Sequence, residues 1–318
     1  MKIILILLMS LSLFASDYSF MIKSFEKGDT SRAIAYARNN ATNGNVAAMY
    51  DLGLLYYSQG DIESASKWLN TSVKNAGKGK FAIALIMFSR AEYSNVIATL
   101  SNSNSGELSR SLLSVSQDLL KNRNSASADE YLLIGKLFFM DEIVHVDSNL
   151  ALLLIEKSAK KGNAEALEIM GDAYNIMRSS NLKAPQYTNS LSMALEYYAQ
   201  AGNRGNYDAL AKMGELHIIG PRNIRKVQYG IDFIKKSANS GSALGAKMLG
   251  DLYMNGKDFN GLGLGTDTKK ALKWYQNATD ICEKNSALVT AFEYKQYYAT
   301  CYKDSSEIPS YSLLFQEF

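Results

Sequence analysis

From about residue 28 onward, small and large apolar residues recur at spacings of three and four with polar residues between them, the signature of helices that each bury one face. Two linked patterns repeat. The first runs from a small residue to a large, often aromatic one three later, then to another small residue and often a glycine. It is carried by Ala33, Tyr36, Ala41 and Gly44; by Ala151, Leu154, Ser158 and Gly162; by Ala194, Tyr197, Ala201 and Gly205; and by Gly230, Phe233, Ser237 and Gly241. Ala65 with Trp68 and Ala271 with Trp274 begin it again. The second pattern pairs a large apolar residue with a glycine and places an aromatic three beyond, as in Leu52, Gly53 and Tyr56, in Met170, Gly171 and Tyr174, and in Leu249, Gly250 and Tyr253. Closing and mid-helix glycines stay nine residues apart in the pairs 44/53, 162/171, 205/214 and 241/250.

A glycine inside a helix costs about 0.5–1 kcal/mol relative to alanine, so its return at one phase marks a place where a neighbouring helix comes too close for a Cβ. The aromatics beside these glycines are expected to be the knobs of that packing. Asp29, Asp61, Asp147 and Asp267 supply helix caps. The chain is therefore expected to be all-α, a stack of antiparallel helix pairs with a shared core, that is, an α-solenoid. The expected divisions are a leader at 1–16, helical repeats at 17–90, a degenerate repeat at 91–127, further repeats at 128–302, and a tail or cap at 303–318.

Composition sharpens this picture by exclusion. Three prolines in 318 residues suit long helices, and a net charge of +3 is too small for a general nucleic-acid surface. Two histidines and two cysteines exclude the usual His/Cys zinc sites. No cofactor is expected. Lys2, the apolar run at 3–14, and Ala15 with Ser16 before Asp17 read as a secretory signal cleaved after Ala15 or Ser16. No cysteine stands there for a lipoprotein anchor, and no other stretch is apolar enough to span a membrane. A periplasmic or secreted protein is expected.

The string at 48–56, Ala-x-x-x-Leu-Gly-x-x-Tyr, and the string at 270–278, Lys-Ala-Leu-Lys-Trp-Tyr-Gln-Asn-Ala, resemble Sel-1-like repeats, close relatives of tetratricopeptide repeats. The resemblance implies a right-handed superhelix, a concave face for protein partners, and a non-catalytic scaffolding role. It also implies which first-helix positions line that face, among them Tyr50, Tyr57, Glu168, Asp172, Asp208, Glu215 and Asp251. Such a face is acidic with aromatic anchors, suited to a basic or amphipathic protein segment.

The secreted, cysteine-rich branch of the family, linked to penicillin binding and β-lactam hydrolysis, is the alternative. Ser-x-x-Lys occurs at Ser24/Lys27, Ser64/Lys67 and Ser158/Lys161, without the companion motifs of a serine hydrolase. His145 and His217 have no nucleophile at motif spacing, and the Gly-Leu alternation at 261–265 has neither a preceding strand nor a following Lys-Thr for phosphate binding. The chain is read as a non-enzyme. That branch also staples its helix pairs with cysteines about eight positions apart; here Cys282 and Cys301 stand nineteen apart, so a bridge requires a break in the last helix.

Overall fold

The computed structural model describes residues 20–21, 23–25, 27–76, 79–101, 106–139, 148–177, 186–256 and 264–286. The leader, His145, the cap Asp147, Cys301, the tail, and residues 178–185 and 257–263 of the loop insertions expected at 178–190 and 256–267 lie outside the described residues. Within them the chain is helical and carries no strand: α1 (Thr30–Thr42), α2 (Val46–Ser58), α3 (Ile62–Ala76), α4 (Lys80–Ser89), α5 (Tyr93–Leu100), α6 (Glu107–Lys121), α7 (Ala128–Phe139), α8 (Ser148–Lys160), α9 (Ala164–Met177), α10 (Gln186–Asn203), α11 (Tyr207–Ile219), α12 (Val227–Asn239), α13 (Ala243–Asn255) and α14 (Thr268–Ser286). The all-α, solenoid-type class expected from the periodicity holds. The chain divides into two compact units, Met1–Lys161 (unit 1) and Gly162–Phe318 (unit 2).

Inside each unit, helices consecutive in sequence pack on one another, and in unit 2 α13 also reaches α11. The turns that permit this are local. Gly44, Gly205 and Gly241 take left-handed φ values of 88–90°, where a side chain is strained, and reverse the chain after α1, α10 and α12. The next residue then caps the following helix: Asn45 accepts from the Ala48 N–H (3.1 Å), Asn206 from Ala209 (3.1 Å), and the Ser242 hydroxyl from Gly245 (2.8 Å). Asn163 caps α9 in the same way through Ala166 (2.8 Å).

The mid-helix glycines are the contact points, but their partners stand one position beyond those expected. A Cβ at Gly53 would lie 2.6 Å from Leu69 Cγ, at Gly135 2.8 Å from Ile155 Cγ1, at Gly171 2.5 Å from the Tyr198 ring, and at Gly250 2.6 Å from the Tyr275 ring. At Gly214 it would meet both the Gly230 carbonyl oxygen (2.6 Å) and Ile234 Cγ1 (2.8 Å). Each partner side chain sits four residues after the small residue that opens the repeat pattern in its helix, not three. The aromatics at three are half-buried and instead stack across the pair, Tyr197 on Tyr174 (5.5 Å between centroids) and Phe233 on His217 (6.0 Å).

A third repeated contact closes the pairs. The buried hydroxyls of Ser72, Ser158 and Ser237 donate to the carbonyls of Val46 (3.4 Å), Ala128 (2.6 Å) and Tyr207 (2.6 Å), in each case the first residue of the partner helix. These small positions hold serine because a helix N-terminal carbonyl is within reach of an otherwise buried hydroxyl.

Candidate functional site

In unit 1 the side chains expected to line a partner-binding face are packed away. α2 is apolar on most of its circumference and buries even its one carboxylate, Asp51 (1% exposed), which suits an enclosed helix. Leu54 and Tyr57 are 1% and 3% exposed. Tyr50 is half-buried with its ring beside Gly79. Burial raises the Tyr57 phenol above its ordinary range, although Ser89 and Arg90 nearby work the other way.

In unit 2 the expected acids are brought to neighbouring first helices, and most are committed to other side chains. Glu168 of α9 is 7% exposed; it accepts from Asn206 Nδ2 (2.6 Å) and pairs with Lys212 Nζ of α11 (2.6 Å). Asp172, one turn on, pairs with the same ammonium (2.6 Å) and accepts from the Tyr198 hydroxyl (2.7 Å). Asp208 accepts from the Ser242 hydroxyl that caps α13. Asp251 accepts from the Tyr275 hydroxyl (2.7 Å) and from Lys247 (3.1 Å).

Two rules explain this polar stitching. The cap residue of one first helix, Asn206 or Ser242, donates to a carboxylate on the preceding first helix. An aspartate directly after a mid-helix glycine receives the hydroxyl of the tyrosine whose ring occupies the glycine's space. Lys212, absent from the expected set, is the keystone. Burial lowers its proton affinity, but Glu168 and Asp172 outweigh that and hold it above the ordinary lysine value. Glu168 is pushed above its ordinary range by burial, against the pull of Lys212. The signal for Lys212 was its separation of 40 residues, about one repeat, from Asp172.

Glu215 alone among the expected unit 2 acids is exposed and makes no hydrogen bond or ion pair among the described residues. It stands at a groove of about 370 Å³ between α11 and α13, with Ile218, Ile219, Ile234, Met248 and Leu252 as apolar lining and Asp251 and Asn255 as its other polar groups. Ile219 is 48% exposed. The groove thus joins two expected residues, Glu215 and Asp251, with an open aliphatic surface that the expected set named only in its acids.

Among the described residues, Ser158, Lys161 and His217 are committed to backbone contacts. Ser158 is fully buried, with its hydroxyl on the Ala128 carbonyl, while Lys161 donates to the Asn124 carbonyl (3.2 Å). His217 is buried and its Nδ1 lies 2.9 Å from the Ile224 carbonyl. Among the described residues no group of histidine, cysteine and acidic side chains could hold a metal ion, and no helix is long and apolar enough to cross a membrane. Cys282 is buried near the end of α14 and is disulfide-bonded.

Paired helices stitched in one register define a helical-repeat protein. The family model for the Sel1 repeat matches residues 46–69, 185–206 and 243–280, so the chain carries three Sel1 repeats, one in unit 1 and two in unit 2. Repeats of this type generally mediate protein–protein interaction. Similar solved structures include a protective antigen of uropathogenic Escherichia coli strains displaying an SLR fold, at 18% identity and a TM-score of 0.41 over 84% of this chain and 56% of that one. The chain therefore spans little more than half of that antigen. A Sel1 repeat protein from Oxalobacter formigenes is also similar, at 19% identity and a TM-score of 0.43 over 82% of this chain and 98% of that one. No curated protein matches significantly.

Proposed function

We propose that the protein is a non-enzymatic protein–protein interaction scaffold of the bacterial periplasm or secreted space, and that it holds a basic or amphipathic partner segment in the groove between α11 and α13. The observation that carries this reading is the unpaired carboxylate of Glu215 beside open aliphatic side chains: a cation and two or three apolar groups on one partner segment satisfy both at once. Asp251 adds a second negative charge, oriented by the Tyr275 hydroxyl, and its exposed Lys247 partner is a weak competitor. The other expected acids serve the binding face indirectly, by fixing the helices that carry it. A leader at 1–16 accounts for export, and pairing of Cys282 with Cys301 accounts for the oxidised state of Cys282 in that compartment.

The test is cross-linking of the exported chain in its envelope, identification of what it captures, and reconstitution with purified partner. Glu215→Lys is expected to weaken the reconstituted complex about tenfold, since it replaces an attraction by a repulsion of similar size. Ile219→Asp is expected to weaken it further. Undiminished binding by both variants would remove the groove from the function.

A further inference from the structure

The loop from α11 to α12 carries a second charged surface, of the opposite sign to the groove. Within eight residues the loop and the first turn of α12 present Arg222, Arg225, Lys226 and Tyr229, all exposed, and none of the three cations pairs with a carboxylate among the described residues. Tyr229 is the most exposed large apolar side chain described, at 62%, with Lys226 Nζ 5.8 Å from its ring centroid and the Phe233 ring 6.2 Å from it.

The loop is built rather than slack. Ile224 is buried beneath it and its carbonyl meets His217 Nδ1 (2.9 Å), the Lys226 N–H donates to the His217 carbonyl (2.8 Å), and Arg225 Nε donates to the Gly220 carbonyl (2.9 Å). That last bond fixes the stem of the guanidinium and leaves its terminal nitrogens for a ligand. None of these side chains serves the stitching of the repeats.

We propose that this loop is a docking surface for an acidic peptide segment of a partner protein, with the two guanidinium groups taking carboxylates and Tyr229 taking an adjacent apolar side chain. Two arginines held on a fixed loop match the paired, planar geometry of carboxylates. An anionic membrane is the poorer fit, because three cations contribute only about 3 kcal/mol at a lipid surface and stable attachment needs a second signal. The site is independent of the groove and gives one chain two faces of opposite preference, so that it can bridge two partners.

The experiment is fluorescence anisotropy with the full chain and a short labelled oligoglutamate peptide containing one leucine, with oligolysine as competitor and phosphatidylglycerol vesicles as a separate titrant. Saturable binding is expected that weakens steeply with salt and is unaffected by oligolysine at concentrations that leave the labelled peptide itself free. The variant R222A/R225A/K226A, whose changes are all on exposed side chains, is expected to lose about tenfold or more in affinity. Equal affinity in that variant, salt-independent binding, or binding of the vesicles in preference to the peptide would overturn the proposal.

Discussion

The first helices of the two units keep one register and put the same face to opposite uses. In α2 the residues that flank Gly53 are enclosed and, apart from Asp51, apolar, down to Tyr57, whose phenol is buried at the end of the helix. In α11 and α13 the equivalent positions around Gly214 and Gly250 carry Glu215 and Asp251 and border an open groove. What both share is the pair contact, in which the glycine receives the side chain four residues after the small residue of the partner helix's repeat pattern. The difference teaches that the small-residue phase dictates pairing alone. The neighbouring face is left to vary, and it stays open where polar stitching, rather than apolar packing, holds successive helices.

The sharpest way to break the comparison is to remove the keystone of that stitching. Lys212→Met leaves Glu168 and Asp172 facing one another without a cation, and breaking a buried pair in this way costs about 3–5 kcal/mol. Chemical denaturation followed by segment-resolved hydrogen exchange should show the loss in α9 and α11, with α2 and α3 retaining their protection. Equal loss in both sets of helices would mean that the stitching is not confined to unit 2.

Glycine substitutions come next. Gly214→Ala drives a methyl group against the Gly230 carbonyl, a backbone atom that moves only if the helices part; it should cost about 2 kcal/mol despite the better helix propensity of alanine. Gly53→Ala meets the buried Leu69 side chain at 2.6 Å and its backbone nitrogen only at 3.2 Å, so less of the clash falls on backbone and the expected cost is somewhat smaller. Urea midpoints of the two variants rank them directly; the reverse order would put the tighter approach in unit 1.

These contacts also mark how far the sequence could be read. The glycine register and the caps Asp29, Asp61 and Asp267 were visible because a left-handed turn and a backbone N–H left without a partner each demand a narrow set of residue types, whereas the caps Asn45, Asn206 and Ser242 were passed over. The position four residues after the pattern's small residue was overlooked because it tolerates Leu69, Ile155, Tyr198, Ile234 or Tyr275 alike, and only volume is selected there. The acidic face was legible as a set of residues but not as a network. Whether Glu168 is solvated or paired depends on Lys212, 44 residues away, and no local periodicity couples the two. Tyr57 was expected at an open face for the same reason, since what encloses α2 is other helices of unit 1.

Acid should separate the units further. Asp118, in unit 1, is pushed up by burial, but the Tyr131 hydroxyl and the Ser125 and Ala126 N–H groups that donate to it, with Lys161 nearby, outweigh this and hold it below its ordinary 3.8. Its stabilising effect is present above pH 3.8 and is lost as pH falls through the lower folded-state value. Glu168 is raised above 4.5, so its effect has the opposite sign: present below 4.5 and lost as pH rises through the folded-state value. Asp118→Asn is expected to flatten the acid dependence of exchange in α6 and α7, and Glu168→Gln that in α9 and α11. Unchanged slopes in either variant would assign the acid response to other groups.

The smallest effect expected is also the one whose sign differs between the units. The Tyr57 hydroxyl is buried and finds no hydrogen-bond partner among the described residues, whereas the Tyr198 hydroxyl donates to the Asp172 carboxylate at 2.7 Å. Removing an oxygen that has already lost its water and gained nothing in return costs no bond, so Tyr57→Phe should leave stability unchanged or raise it by up to about 1 kcal/mol. Tyr198→Phe deletes a bond to a charged group and leaves Asp172 with Lys212 alone, for an expected loss of about 2 kcal/mol. The ring in each case still fills its place, beside α4 in one and against Gly171 in the other, which keeps packing out of the difference. Thermal melts of the two single variants therefore isolate the hydroxyl, and a Tyr57→Phe that melts well below the parent would show that the enclosed face of unit 1 depends on a polar contact as unit 2 does.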